Sequence, residues 1–443
     1  MSITGTLPLS LRAWLADRGH HALAQRVAGA TFLIRVGAAA LAYLVQIALA
    51  RWMGAYEFGV YVYVWTWALL IGGIADFGLA NAAQRFIPQY AAQNAEPLLR
   101  GFLRDARRLA LALATGLAVV AALALTLGAR SIDSPAVIPL YLACLCLPVY
   151  ALSSVQDGIA RCYNWTGIGL VPTFVMRPVL LVAFMAAAHL AGFAASATMA
   201  IVCSVASYWV IGAAQTLMLD RRLAATVAPG PRAAAPRVWL KTSLPIMMVV
   251  GFYVMLTYVD LIVLQMFRAP DVVAHYHAAA KTMTLVSFIY FSVSAATAHR
   301  FSAYQAAGDR ARLEAFVAGA VRWTFWPSLA LTAALLAVGR PMLALFGGDF
   351  AQAYPLMFVM AAGLLARASV GPAERLLSML GEQRACAMAY GGAFAVNLLA
   401  CLALVPRHGA MGAAAATSLA LVAESAALFV IARRRLGLHA FIV

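Results

Sequence analysis

Four cationic side chains lie inside stretches of sequence that are apolar enough to cross a lipid bilayer: Arg35, Arg177, Lys281 and Arg367. A charge at the centre of a bilayer costs about 2.5–3.5 kcal/mol on insertion scales, so it normally faces a polar or water-filled interior. Fewer acidic residues accompany these cations near the middle of the membrane. The pattern therefore predicts a cavity within the membrane that binds an anionic ligand.

Each cation has an alternative structural role. Arg35 and Lys281 are close enough to the ends of their predicted helices for their aliphatic stems to carry the charge to the membrane surface. Arg177 and Arg367 lie deeper, where the alternative is a buried pair with a carboxylate. Pro178 directly follows Arg177 and is expected to loosen the helix at that point.

Acidic side chains within the predicted spans are the second group of candidates. Asp260 and Glu424 are well embedded, and each could take up and release a proton during a transport cycle or neutralise one of the cations. Asp76 has these two roles open to it and a third, which is to cap the end of its helix. Asp157 and Glu374 fall at helix ends and are expected to be solvated or paired with neighbouring arginines.

Aromatic residues of the second predicted span form a possible surface for sugar rings. Tyr61 and Trp65 are four residues apart and share one face of a helix, where a sugar could stack on them. Packing between helices, or anchoring at the membrane surface, would place aromatic residues in the same way.

The sequence offers little support for catalysis or cofactor binding. It contains no nucleophile–base arrangement and no nucleotide-binding motif, so we expect a protein that is not an enzyme and does not bind a nucleotide. The pair His275 and His277 lacks the helical spacing of metal ligands, and the six cysteines are interpreted as small buried apolar residues. We therefore expect no metal and no cofactor.

The elements that carry these residues are predicted to be membrane-spanning helices. Of 443 residues, 64% are hydrophobic and 11% are charged, whereas soluble domains average about 25% charged residues. A spanning helix needs about 20 mainly apolar residues. The sequence predicts an all-α polytopic membrane protein with about twelve transmembrane helices, near 29–50, 58–81, 106–128, 136–158, 168–190, 194–218, 240–265, 274–297, 318–338, 353–377, 386–405 and 409–432.

The distribution of positive charge predicts the orientation in the membrane. The formal net charge is +16, which by itself would be compatible with a nucleic-acid partner. If the chain starts in the cytoplasm, however, most Lys and Arg fall in cytoplasmic segments, as the positive-inside rule requires. The opposite side then holds only Arg51, Arg130, Arg268, Arg340 and Arg407. We therefore predict cytoplasmic N and C termini, contact with the lipid bilayer, and no nucleic-acid partner.

Repeated landmarks predict two related halves, which would form two pseudo-symmetric six-helix bundles. Pairs of similar residues recur at a nearly constant spacing: Glu57 and Asp271, QRF at 84–86 and HRF at 299–301, Arg161 and Arg375, Gly167 and Gly381. The predicted units are a cytoplasmic N-terminal segment (1–28), a first bundle (29–219), a cytoplasmic linker (220–238), a second bundle (239–432) and a basic cytoplasmic tail (433–443). Transporters commonly bind substrate between such repeats.

Several of these segments resemble bacterial polysaccharide transporters, the O-antigen and exopolysaccharide flippases of the multidrug/oligosaccharidyl-lipid/polysaccharide (MOP) superfamily. The resemblance lies in residues 51–61 (RWMGAYEFGVY), 76–79 (DFGL), 84–86 (QRF) and 409–417 (GAMGAAAAT). It implies transfer of an undecaprenyl-pyrophosphate-linked glycan from the cytoplasmic to the periplasmic leaflet of the bacterial inner membrane. It also implies cations on the first and eighth spans, where Arg35 and Lys281 lie, and a possible partnership with polysaccharide polymerase machinery.

Two other functions stay open at this point. A membrane polysaccharide polymerase or ligase would have a similar number of spans, but its acceptor sugars generally require a larger periplasmic loop than this chain has. A multidrug antiporter of the same superfamily would usually carry acidic residues in its first half, whereas the first span here carries Arg35.

Overall fold

The described residues of the computed structural model, 20–129 and 135–442, are almost entirely helical and include no β-strand. The predicted all-α class is thereby confirmed. Most of the predicted N-terminal segment (1–28) lies outside the described residues. The helices are α1 (His20–Ala75), α2 (Leu79–Ala92), α3 (Glu96–Ala129), α4 (Val137–Cys144), α5 (Leu147–Cys162), α6 (Thr166–Val171), α7 (Arg177–Leu190), α8 (Ala197–Thr226), α9 (Pro236–Phe267), α10 (Pro270–Thr284), α11 (Ser287–Ala306), α12 (Arg310–Ala337), α13 (Gly339–Ala344), α14 (Tyr354–Ser369), α15 (Ala373–Met379) and α16 (Gln383–Ile431).

Eight helical segments of the described chain are long and apolar enough to cross a membrane, and nine if α4 and α5 form one span bent by 43°. The protein is therefore a polytopic membrane protein. Two of these segments contain a glycine with non-helical backbone angles, Gly54 in α1 and Gly409 in α16. Both glycines lie where the sequence predicts one span to end and the next to begin. The number of twelve spans and the cytoplasmic termini stay predictions.

Polar side chains fix several of the helix starts. Helix α8 begins after Ser196, whose hydroxyl accepts a hydrogen bond from the amide of Met199 at 3.3 Å. The carboxylate of Glu57 accepts another from the amide of Ala197 at 2.7 Å. Such contacts satisfy amides that have no partner within the helix. Because Glu57 belongs to α1, its hydrogen bond also fixes α8 to the beginning of the second predicted span.

The two predicted halves meet closely at the end that is predicted to be periplasmic. Gly59 of α1 lies so near α10 that a Cβ atom there would be 1.8 Å from the carbonyl oxygen of Pro270. Phe58 packs edge-on against Phe350, with ring centroids 6.2 Å apart. Arg51 donates a hydrogen bond from its Nε to the carbonyl oxygen of Leu345 at 2.6 Å. Only glycine permits this approach at position 59, so these contacts hold the two halves together at that end.

Helix α9 contacts both halves. Near its start, the Trp239 indole donates a hydrogen bond to the Tyr90 hydroxyl at 3.1 Å and packs edge-on against Phe102. Near its end, the Asp260 carboxylate accepts a hydrogen bond from the Thr417 hydroxyl of α16 at 3.0 Å. The helix therefore crosses from the first half to the second. Residues 227–235, which precede it, are non-helical and fall inside the predicted linker; the domain division itself stays a prediction.

Candidate functional site

The first candidate site surrounds Arg177, at the start of α7. A short π-helical turn, Pro172–Met176, precedes it, and such local widening of a helix is frequent at functional positions. The guanidinium carbon lies 4.1 Å from the centre of the Tyr208 ring, a distance typical of a cation–π interaction. No carboxylate of the described residues lies within ion-pair distance of Arg177. We call Arg177 and the Tyr208 ring beneath it the Arg177 site.

A cavity of about 150 Å³ opens onto this site. Its polar lining includes the side chains of Gln46, Ser204 and Ser207. Within residues 20–129 and 135–442, the buried Gln46 Oε1 and Tyr208 hydroxyl have no hydrogen-bond partner. Buried polar groups are normally hydrogen-bonded, so the cavity is lined by one unpaired cation and lies beside two buried polar atoms that have no partner among the described residues.

The second candidate site surrounds Arg367, near the end of α14, and we call it the Arg367 site. Its guanidinium forms a 3.5 Å ion pair with Glu424 of α16, and the two side chains are 16% and 2% exposed. The guanidinium carbon also lies 4.7 Å from the centre of the Tyr290 ring. The Tyr290 hydroxyl donates a 3.3 Å hydrogen bond to Glu374. This cation is therefore neutralised by a carboxylate and lies beside a second one.

Lys281 lies at the contact between the halves. Its neighbour Thr282 is fully buried and shares a 2.9 Å hydrogen bond with the hydroxyl of Tyr43 on α1. Lys281 itself is exposed, although most of the preceding residues of α10 are buried. A charge exposed on a membrane-spanning helix would be costly against lipid. At the predicted membrane depth, Lys281 therefore requires polar or hydrated surroundings.

Arg35 is also exposed, on the part of α1 that precedes Tyr43. In the described part of the chain, neither Arg35 nor Lys281 forms an ion pair with a carboxylate. Of the four predicted cations, Arg177 lines the cavity of its site, Arg367 pairs with Glu424, and Arg35 and Lys281 are exposed.

The two other predicted acidic candidates have local partners. Asp76 accepts hydrogen bonds from the amides of Gly78 and Ala80 and from the Ser154 hydroxyl, at 2.9, 3.3 and 2.9 Å. These bonds stabilise the turn between α1 and α2, as a capping role requires. Asp260 is held by hydroxyl groups rather than by a cation, since Tyr276 donates to it at 2.5 Å in addition to Thr417.

The aromatic candidates form a stack that is largely buried. The rings of Tyr61 and Trp65 are 6.1 Å apart and nearly parallel, as their spacing predicts. Tyr61 is only 2% exposed, and both residues line the cavity of the Arg177 site. Trp65 also contacts Tyr208, with ring centroids 5.4 Å apart. A sugar contact by these residues stays a prediction, and Trp65 is the more accessible of the two.

Tyr208, Ser204 and Ser207 were not among the residues that the sequence singled out. Their spacing of three and four residues places them on one face of α8, within an otherwise apolar span. This row of polar side chains on one helix face is the sequence pattern from which these three residues could have been predicted. As for metals, the described residues contain no group of three His, Cys, Asp or Glu side chains that could hold an ion.

Comparison with protein families and solved structures gives the context of these sites. The model of a family described as polysaccharide biosynthesis protein matches residues 26–305. No curated protein sequence matches the chain.

Several solved structures share its fold, and three of them are described here. A multidrug resistance MATE family transporter of the MOP superfamily, in an inward-facing conformation, has a TM-score of 0.75 and 14% identity over 92% of this chain and 98% of that one. The lipid II flippase MurJ, in an inward closed conformation, has a TM-score of 0.72 and 15% identity over 91% and 87% of the two chains. A MOP superfamily transporter from Pyrococcus furiosus, described with a binding pocket of reverse polarity, has a TM-score of 0.67 and 13% identity over 92% and 94%.

Proposed function

Since this chain belongs to the family of polysaccharide biosynthesis proteins and has the fold of MOP superfamily transporters, we propose that it is a flippase for lipid-linked oligosaccharides. The proposed substrate is an undecaprenyl-pyrophosphate-linked repeat unit. It would move from the cytoplasmic to the periplasmic leaflet of the bacterial inner membrane. The proposed partners are that lipid-linked glycan, the bilayer and the polysaccharide polymerase machinery that would use the product.

The observation that carries the proposal is that membrane-embedded cations lack acidic partners. Arg177, Lys281 and Arg35 have no ion pair in the part of the chain that the structure describes. Arg35 and Lys281 are exposed and Arg177 is half-buried. At membrane depth a cation without a counter-ion is costly, and a pyrophosphate would supply the missing negative charge through charge-assisted hydrogen bonds. An exporter of cationic drugs has no evident use for such groups.

The proposed mechanism is alternating access between the two halves. Contacts at Gly59 and Arg51 close the predicted periplasmic end. A pyrophosphate head would enter from the opposite end. It would replace its hydrogen bonds to water with hydrogen bonds to the cationic side chains, and it would leave after the periplasmic contacts separate. The polyprenyl tail would stay in lipid throughout. In this mechanism Arg367 binds substrate only after it has released Glu424.

The test is the location of lipid-linked repeat units in cells that lack this protein. We expect single units to accumulate at the cytoplasmic face, where externally added enzymes cannot reach them. Accumulation of single units on the periplasmic side would instead identify a polymerase or ligase. Altered drug susceptibility with normal glycans would identify a multidrug antiporter.

Complementation by four single variants then tests the cationic residues: Arg35→Ala, Arg177→Ala, Lys281→Ala and Arg367→Ala. Their matched control is Arg384→Ala, which removes an exposed arginine outside the proposed path. We expect the control to restore surface polysaccharide and the Arg177 and Lys281 variants to fail at equal abundance in the membrane. Normal complementation by all four variants would disprove the cationic path.

A further inference from the structure

A second cationic cavity lies at the predicted cytoplasmic end of the predicted first half, and it shares no lining residue with the cavity of the Arg177 site. Its volume is about 910 Å³, and it lies between α3, α8 and the non-helical segment before α9. Five arginines line it: Arg100, Arg104, Arg107, Arg108 and Arg232. Asp220 is the one carboxylate among its lining residues.

Two of these arginines build the walls of the cavity. Arg100 donates hydrogen bonds to the carbonyl oxygens of Ala228 and Pro231, at 2.8 and 3.3 Å, and pairs with Glu96. Arg107 forms a 2.7 Å ion pair with Asp220. The carboxylate that faces the cavity is therefore already used, and the segment before α9 is attached to α3 through Arg100.

The other three arginines have no acidic partner among the described residues. Arg104 is half-buried, whereas Arg108 and Arg232 are exposed. Arg100, Arg104 and Arg108 follow one another at intervals of four along α3, so like charges are neighbours on one helix face, an arrangement that destabilises a helix. The positive-inside rule explains which side of the membrane they occupy, but not why they converge on one cavity.

The remaining lining indicates what kind of anion would fit. Besides the arginines, the lining includes the apolar side chains of Leu111 and Leu152 and the hydroxyl of Thr216. Leu111 follows the arginines of α3 within the predicted span 106–128. Guanidinium groups and apolar side chains in one cavity match a molecule with a phosphate group attached to hydrocarbon. Basic pockets at the cytoplasmic ends of membrane helices bind lipid head groups in this way.

We propose that this cavity binds the phosphate group of an anionic phospholipid, held by Arg104, Arg108 and Arg232. The bound lipid joins α3 to the segment that leads into α9, and it therefore stabilises the connection between the two halves. The site is separate from the Arg177 and Arg367 sites and does not depend on the proposed flippase activity.

The experiment measures retention of phosphatidylglycerol by the purified full-length protein with native mass spectrometry, with phosphatidylcholine as the uncharged comparison. We expect the wild type to retain phosphatidylglycerol selectively. The variant Arg104→Gln/Arg108→Gln should bind it about 30-fold more weakly, the effect of removing two arginines at a membrane surface.

The matched control is Arg433→Gln/Arg434→Gln, which removes two exposed arginines from the other half of the chain. Equal losses in the two double variants would show diffuse attraction and would overturn the proposal. A second measurement uses inorganic phosphate. If millimolar phosphate displaces the lipid and raises the unfolding temperature as much as phosphatidylglycerol does, the ligand is a soluble phosphate and the assignment to a lipid is wrong.

Discussion

The Arg177 site and the Arg367 site use the same two groups, a guanidinium over a tyrosine ring, in opposite electrostatic settings. Arg367 shares its charge with Glu424 at 3.5 Å, whereas Arg177 has no such partner among the described residues and lies beside a cavity. The charge of Arg367 is neutralised without a ligand, although its Nε and the Glu424 Oε2 have no hydrogen-bond partner among the described residues. Arg177 contacts the Tyr208 ring, and under the proposed function an anion that enters the cavity neutralises it.

The comparison indicates that the two sites would bind an anion in different ways. Under the proposed function, Arg177 of the predicted first half could bind an anion directly, whereas Arg367 of the predicted second half would first have to separate from Glu424. An anion passing between them would compete with Glu424 for Arg367, which links its binding to a change in the second half. Three predictions test this contrast.

The largest effect is expected at the paired site. Arg367→Met leaves Glu424 buried without its counter-ion, and removal of one partner of a buried pair typically costs about 3–5 kcal/mol. The variant Arg367→Met/Glu424→Leu removes both charges and should recover most of that loss. The measurement is unfolding of the purified proteins in detergent, together with their abundance in membranes.

The double variant also separates structure from transport. If Arg367 binds substrate, surface polysaccharide should stay absent although the protein is stable again. Full recovery of both stability and transport would assign Arg367 a purely structural role. A single variant as stable as the wild type would contradict the pairing itself.

A smaller effect, mainly on transport, is expected at the unpaired site. Arg177→Met removes a cation that forms no ion pair, so stability should fall only by the lost cation–π interaction with Tyr208, about 0.5–2 kcal/mol. Transport should fall about 10- to 100-fold, because a hydrogen bond to a charged group contributes about 1.5–3 kcal/mol. The measurement is polysaccharide export at matched protein abundance, with Arg177→Lys expected to retain part of the activity because it keeps the charge but not the planar donor geometry. A loss of stability as large as that of Arg367→Met, with normal transport, would show that Arg177 has a structural role and does not bind substrate.

The smallest effect concerns the rings beneath the two cations. Tyr208→Leu removes a cation–π interaction of about 0.5–2 kcal/mol and should lower transport by less than Arg177→Met does. Tyr208→Phe keeps the ring and should resemble the wild type, because the hydroxyl has no partner within the described chain. Tyr290→Leu should have the weaker effect, since Glu424 still holds Arg367. If Tyr290→Leu lowers transport more than Tyr208→Leu does, the proposed contrast between an unpaired Arg177 and a paired Arg367 is wrong.

The sequence was sufficient to predict the helical membrane class, because composition alone excludes most alternatives. It also identified the four cations, since charges in apolar stretches are conspicuous. Glycines at positions 54 and 409 interrupt two very long helices where the pattern predicts separate spans. These features depend on local sequence, which periodicity and composition describe well.

The partners of the cations could not be predicted, because they depend on which helices become neighbours. Arg367 and Glu424 lie on α14 and α16, and nothing in either span specifies the other. Tyr61 and Trp65 illustrate the same limit, since their spacing predicts the observed stack but does not reveal that Tyr61 is buried. Asp76 was open to three roles, and its contacts with Gly78 and Ala80 match the capping one.

Helix α9 contacts both predicted halves, and this has a mechanical consequence. Its beginning is fixed to the first half by Trp239 and its end to the second by Asp260, so any rotation of one bundle against the other must deform it. Pro245 lies between these two attachments and lacks the amide that would complete the helical ladder. Bending is easiest where a backbone hydrogen bond is already missing. If the two predicted halves rotate against each other, we therefore expect α9 to bend at Pro245.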